Sequence, residues 1–171
     1  MGTSLIVLGE KGSGKGLETY RILDFFGEFG VEVTKVQEVS GTFNSILAMK
    51  VFLHLNEATY SGDLQTNGVL KGLTTDKQYT LRKLYQDAKK LESFINICYS
   101  SNNMQAYNCK RGQRRGVVTE TDNRLAGIVT PEKKKYIDAI VNVDNSCFLK
   151  VLLRRDLSKF EARSFPRTKA M

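Results

Sequence analysis

The chain has 171 residues, 41% of them hydrophobic and 26% charged, with a formal net charge of +8, enough for one domain with a sizeable core. No apolar run approaches the ~20 residues of a membrane-spanning helix, and no basic stretch leads into a signal-peptide core, so a cytoplasmic, unsecreted protein is expected. Three cysteines without C-x-x-C spacing and one histidine, His54, argue against a disulfide framework and a zinc site, while the basic excess favours a polyanionic partner.

Thr3 to Leu8 is a short apolar run of strand character, and Gly16 to Phe29 carries helical spacing through Leu17, Tyr20, Leu23 and Phe26. Gly30 is expected to end that helix as its C-cap, and Val31 to Val36 alternates like a strand. "GTFNSILA" predicts a short helix and "KVFLHLNEA" a buried strand. Leu64 to Leu73 has helical periodicity, whereas "YTLRKLYQDA" is less regular and suits a hairpin as well as a helix. "FINICYSSNN" reads as a buried strand ending in polar residues, and "RRGVVTE" as another. "PEKKKYIDAIVNV" and "CFLKVLLRRDL" predict amphipathic helices, with Pro131 at a helix start. This alternation predicts an α/β fold with a core over residues 1–128, a helical segment over 129–160 and a loose tail over 161–171.

The chemistry concentrates after the first strand. Gly9 to Gly16, "GEKGSGKG", matches G-x-x-x-x-G-K and departs only at the eighth position, where Gly16 replaces the serine or threonine that would bind Mg²⁺. Glycines let the backbone turn tightly and aim several N–H groups at one phosphate chain. The following helix adds its N-terminal dipole and Lys15 a flexible point charge. Gly9, Glu10, Lys11, Gly12, Ser13, Gly14, Lys15 and Gly16 are therefore the expected ATP-binding residues. Such a site also needs an acid at the tip of a neighbouring buried strand. Asn56 and Glu57 end "VFLHLNE": Glu57 is placed to hold the Mg²⁺ shell or polarise water, and Asn56 to position a metal-bound water. His54, mid-strand, is expected to be a packed imidazole. The strand ending in Ser100, Ser101, Asn102 and Asn103 can set an amide beside the outer phosphate.

"LGEKGSGKG", "SGTFNSILAMKVFLHLNEATYSGD", "GVLKGLTTDKQYTLRKLYQDA", "FINICYSSNN", "RGQRRGVV" and "LLRRDLSKFEARSFPRTKAM" occur in this order. Together they resemble the helicase part of phage and large-virus primase–helicases, in the superfamily 3 group of AAA+ ATPases. The resemblance implies a three-layer P-loop NTPase fold with a mostly parallel sheet and a small C-terminal helical region. It implies Lys15 and the glycines as the Walker A loop, Asn56 and Glu57 as the Walker B pair, Asn102 as the sensor and Glu57 as the catalytic acid. By the same resemblance Arg82 and Lys83 lie on a hairpin touching single-stranded DNA, and Arg114 or Arg115 acts in trans on a neighbour's ATP. The implied assembly is a homo-oligomeric ring, a hexamer, once the helices that family members carry upstream of the first strand are supplied. The implied setting is the cytoplasm of an infected cell.

Two other readings share the loop. A nucleotide or small-molecule kinase would need a lid with several arginines, for which Arg111, Arg114 and Arg115 are the candidates. A degenerate nucleotide- and DNA-binding accessory protein would keep the loop without turnover.

Overall fold

The structure, a computed structural model, describes residues 2–57, 64–102, 116–122, 126–161 and 168. In chain order the elements are β1 (Ser4–Leu8), α1 (Lys15–Phe26), β2 (Gly30–Val33), α2 (Gln37–Ser40), β3 (Phe52–Asn56), α3 (Leu64–Thr75), β4 (Gln78–Leu81), β5 (Lys89–Glu92), β6 (Asn96–Ser101), β7 (Gly116–Glu120), α4 (Pro131–Val141) and α5 (Asn145–Leu153). Five strands form one sheet in the order β2-β3-β6-β1-β7, and β4 pairs with β5 in a separate two-stranded sheet. All pairings within the large sheet are parallel. The carboxyl ends of its strands therefore lie along one edge, where α/β proteins place their ligands.

Helices cover both faces. Ile22, Leu23 and Phe26 of α1 pack on Val7, Phe52 and Cys98, with the Phe26 and Phe52 rings stacked 5.5 Å apart. On the other face Leu70 and Leu73 of α3 and Val39 of α2 meet Val33, Leu53, Leu55 and Ile97. A strand covered on both faces has no solvent side to alternate with, so Phe52, Leu53, His54 and Leu55 are buried in succession. The architecture is the expected α/β fold with a mostly parallel sheet. Burial pushes the Cys98 thiol up to about 12. Cys147 is exposed, and Cys109 lies outside the described residues.

Local boundaries differ from the sequence expectation in three places, each for a visible reason. The first helix is capped by Gly27, whose positive φ of 52° lets its N–H reach Asp24 O and Leu23 O, while Gly30 is already extended and opens β2. "GTFNSILA" forms only a 3₁₀ turn at Ser45–Leu47. Its natural cap, Asn44, spends its side chain elsewhere: Nδ2 donates to Thr80 O at 3.0 Å and Oδ1 accepts from Arg82 N at 2.8 Å. The strand after Gly30 ends at Val33 because Val36 turns into α2. The ambiguous "YTLRKLYQDA" is the first arm and tip of the antiparallel β4–β5 hairpin.

Thr130 caps α4 by accepting from Lys133 N, ahead of Pro131 in the first turn. The helical segment docks on α1: Arg21 donates to Val141 O at 3.2 Å, Asn145 Nδ2 donates to Asp24 Oδ2 at 2.9 Å, and Phe148 meets Phe25 edge-on. Of the C-terminal tail, the Thr168 hydroxyl donates to Val118 O of β7, and residues 162–167 and 169–171 lie outside the described residues. Among the described residues no helix is long and apolar enough to cross a membrane.

Candidate nucleotide-binding site

The glycine loop leaves β1 at the carboxyl edge of the sheet. Gly12 and Gly14 have φ of 82° and 90°, a left-handed backbone that side-chain-bearing residues adopt only at a cost. Gly9 is required for a different reason: a Cβ there would stand 1.9 Å from Thr121 Oγ1 and 2.6 Å from Ser13 Oγ. Thr121 Oγ1 donates to Ser13 Oγ at 2.7 Å, so the exit of β7 locks onto the loop. Gly14 is the N-cap of α1 and contributes no side-chain cap, so the first amides of the helix stand at the loop as anion donors. Glu10 and Lys11 are exposed on its outer turn. Gly16, second residue of α1, faces open space: no atom lies within 4 Å of where its Cβ would be.

Three elements bring Lys15, Asn102 and Glu57 into one hydrogen-bonded line. Lys15 is buried, and its Nζ donates to Asn102 Oδ1 and, at 3.4 Å, to Glu10 O. Asn102 Nδ2 donates to Glu57 Oε1 at 2.8 Å. One carboxamide thus separates a cation from a carboxylate across the cleft between the loop and the ends of β3 and β6. Glu57 holds a left-handed φ of 49°, and its N–H donates to Ser100 O at 2.9 Å. That backbone kink follows directly on the last residue of β3.

Beneath this line lies a second polar group that sequence reasoning did not assemble. The parallel register sets Glu32 opposite His54 and Asn56 opposite Ser100. His54 is fully buried, with Nδ1 2.9 Å from Glu32 Oε2 and Nε2 2.8 Å from Ser100 Oγ. Ser100 Oγ donates to Asn56 Oδ1 at 3.0 Å, and Asn56 Nδ2 donates to Glu32 Oε1 at 3.3 Å. Burial pushes the imidazole below its ordinary value of 6.5, against the pull of the Glu32 carboxylate. A neutral imidazole with its proton on Nδ1 competes with Asn56 Oδ1 for the single hydroxyl proton of Ser100. The only sequence signals were a lone glutamate in "GVEV" and a lone histidine in "VFLHL", and nothing local says that the two face each other.

A cavity of about 580 Å³ opens beside the loop, lined by Ser13, Gly14, Leu17, Glu18, Thr121, Tyr136 and Ile140 among others, within the size range of small-molecule sites. Thr121 and Tyr136 were not singled out from sequence. Among the described residues no group of three or more His, Cys, Asp or Glu side chains could hold a metal ion. The carboxylate at the β3 tip fits Mg²⁺, which takes few protein ligands and completes its shell with phosphate oxygens and water, while the neighbouring Asn56 amide is engaged by Ser100 and Glu32. Glu57 is its candidate direct ligand, with Asn56 beside it.

The remaining expected residues lie apart. Arg82 and Lys83 follow β4 in the hairpin sheet, Arg82 exposed and Lys83 half-buried, and neither lines the loop cavity. Arg114 and Arg115, like Arg111 and Asn103, lie outside the described residues.

The chain belongs to a family of unknown function (DUF5906), whose model matches residues 7–115, more than half of its length. No curated protein matches it. Among solved structures it is similar to the apo C-terminal region of NrS-1, residues 305–718, at 24% identity and TM-score 0.68 over 84% of this chain and 38% of that one. The A form of the same region matches at 24% identity and TM-score 0.75, covering 98% of this chain and 40% of that one. A further A-form structure matches at 26% identity and TM-score 0.66, covering 84% of this chain and 38% of that one. The chain therefore spans about two fifths of the NrS-1 structures it matches.

Proposed function

We propose that this DUF5906 member is a primase–helicase-like domain of the superfamily 3 type that binds ATP with Mg²⁺ and hydrolyses it to move on single-stranded DNA. The observation that carries the reading is the Lys15–Asn102–Glu57 line, which faces a glycine loop and an open helix N-terminus. The order of sequence motifs and the fold shared with the NrS-1 C-terminal region support it.

In this mechanism the loop amides and the N-terminus of α1 take the phosphate chain, and Lys15 leaves Asn102 to bind the outer phosphate oxygens. Bound Mg²⁺ supplies charge neutralisation on those oxygens. Asn102, released from Lys15, orients a water with its carboxamide without adding charge. Glu57 accepts a proton from that water as it attacks the terminal phosphorus, and the bond to the ADP oxygen breaks. The cavity beside Tyr136 and Leu17 has room for the nucleoside end. At the hairpin, Lys83 and Lys89 flank Tyr85, whose side chain is 95% exposed. That is the pairing of charge and aromatic face which grips unpaired bases without reading sequence.

An ATPase assay with and without single-stranded DNA, run beside a nucleotide-binding assay, tests the reading. Lys15→Ala should lose both binding and turnover. Glu57→Gln should keep ATP bound while turnover falls about 10²–10⁴-fold. A wild-type chain that binds no ATP, or a Glu57→Gln variant that hydrolyses like wild type, would defeat it.

A further inference from the structure

Four side chains from three adjacent strands form a circuit of contacts at hydrogen-bond distance under the site, with one Ser100 proton shared between two acceptors: Glu32 on β2, His54 and Asn56 on β3, and Ser100 on β6. Burying polar groups at the centre of a parallel sheet costs stability unless each has a partner. The apolar strands around this circuit would pack without it, so its presence calls for a role. Both ends of the Asn56 carboxamide are engaged, the oxygen by Ser100 and the nitrogen by Glu32. The next residue, Glu57, holds a left-handed φ of 49° without being glycine. Such a conformation is strained for a residue with a side chain and persists only where its surroundings over-determine it. Ser100 contributes twice here, its hydroxyl to Asn56 Oδ1 and its carbonyl to the Glu57 N–H.

We propose that Glu32, His54 and Ser100 are positioning residues: their circuit clamps the Asn56 side chain and so holds the kinked backbone of Glu57 that aims its carboxylate at Asn102. In the kinetic sense this rests on the ATPase reading above; in the structural sense it stands alone. The arrangement gives Asn56 a duty other than meeting a metal, since its amide is already spent on the sheet. It also explains a histidine with no exposed surface in a strand whose other buried residues are Phe52, Leu53 and Leu55. With Nδ1–H directed at Glu32, His54 Nε2 shares the one Ser100 hydroxyl proton with Asn56 Oδ1, and Glu32 fixes the imidazole from the other side.

The test uses the intact, ligand-free chain first. Backbone amide exchange of Glu57 and the side-chain amide signals of Asn56 are followed by ¹⁵N NMR in wild type, Ser100→Ala and Ser100→Thr. Removing the hydroxyl should speed Glu57 exchange about tenfold and shift the Asn56 pair, and threonine, which keeps the hydroxyl, should restore both. In the second arm, Ser100→Ala should lower kcat for ATP hydrolysis about 10–100-fold with KM little changed, and Ser100→Thr should recover it. Added to Glu57→Gln, the same substitution should cost nothing more. Glu32→Ala, at a side chain 43% exposed, repeats both arms with little risk to folding and should act in the same direction. Unchanged Asn56 and Glu57 signals in Ser100→Ala and Glu32→Ala would overturn the proposal, as would altered signals with wild-type kcat. A wild-type chain without turnover would refute the ATPase reading instead and leave the exchange arm to judge the circuit.

Discussion

At the scale of single residues, the glycines of the loop divide by physics. Gly12 and Gly14 are needed for their backbone conformation and Gly9 for the close approach of Thr121, but Gly16 meets neither requirement. It sits in the first turn of α1 in open space, so a side chain is free to enter. Gly16→Ser should therefore fold as wild type or be more stable by up to about 0.5 kcal/mol in urea unfolding, since glycine is the poorer helix former. It should also lower the Mg²⁺ concentration that half-saturates ATP hydrolysis, because it places a hydroxyl where related loops bind the metal. Gly14→Ala should instead cost about 1–2 kcal/mol through its left-handed backbone. A destabilised Gly16→Ser would show that the helix start is tighter than its geometry indicates. The loop motif was legible because its requirements are local: spacing, missing Cβ atoms and one lysine.

At the scale of elements, the β4–β5 hairpin shows how a short polar-apolar stretch stays ambiguous until something outside it decides. Its tie to the body is Asn44, 8% exposed, whose side chain holds Thr80 O and Arg82 N. The same contacts deny "GTFNSILA" its cap and leave it a single 3₁₀ turn. Asn44→Ala strands both backbone groups and should cost about 1–3 kcal/mol. It should also speed proteolysis at the hairpin tip more than elsewhere, measured by mapping the first cleavage sites. Equal protection across the chain would show that the hairpin needs no such clamp. Single-stranded DNA affinity should fall with it if Lys83, Tyr85 and Lys89 form the grip. At this scale the helix ends were legible wherever a cap was local, as at Pro131, and misplaced by three residues where two glycines competed.

At the scale of the whole molecule, the strand order β2-β3-β6-β1-β7 is what makes a site. It inserts β6 between β1 and β3, so Asn102 falls between Lys15 and Glu57 although 87 and 45 residues separate it from them in sequence. The sequence resemblance implies an arginine acting in trans, and on that reading turnover per chain should rise with protein concentration and with single-stranded DNA. A sedimentation measurement under the same conditions checks whether the rise tracks oligomer formation, and turnover flat in both variables would remove the assembled motor. With a net charge of +8, DNA binding should also weaken steeply with salt as counterions cease to be released.

By itself the sequence determined the α/β class, the glycine loop and the polar tips of two strands, because each follows from periodicity or from residue types a few positions apart. Only the tertiary structure decided that Glu32 faces His54, that Ser100 reaches both His54 and Asn56, and that Thr121 locks the loop. Those contacts depend on which strands are neighbours and in what register. A parallel sheet sets both through crossovers tens of residues long, and no local pattern records the choice.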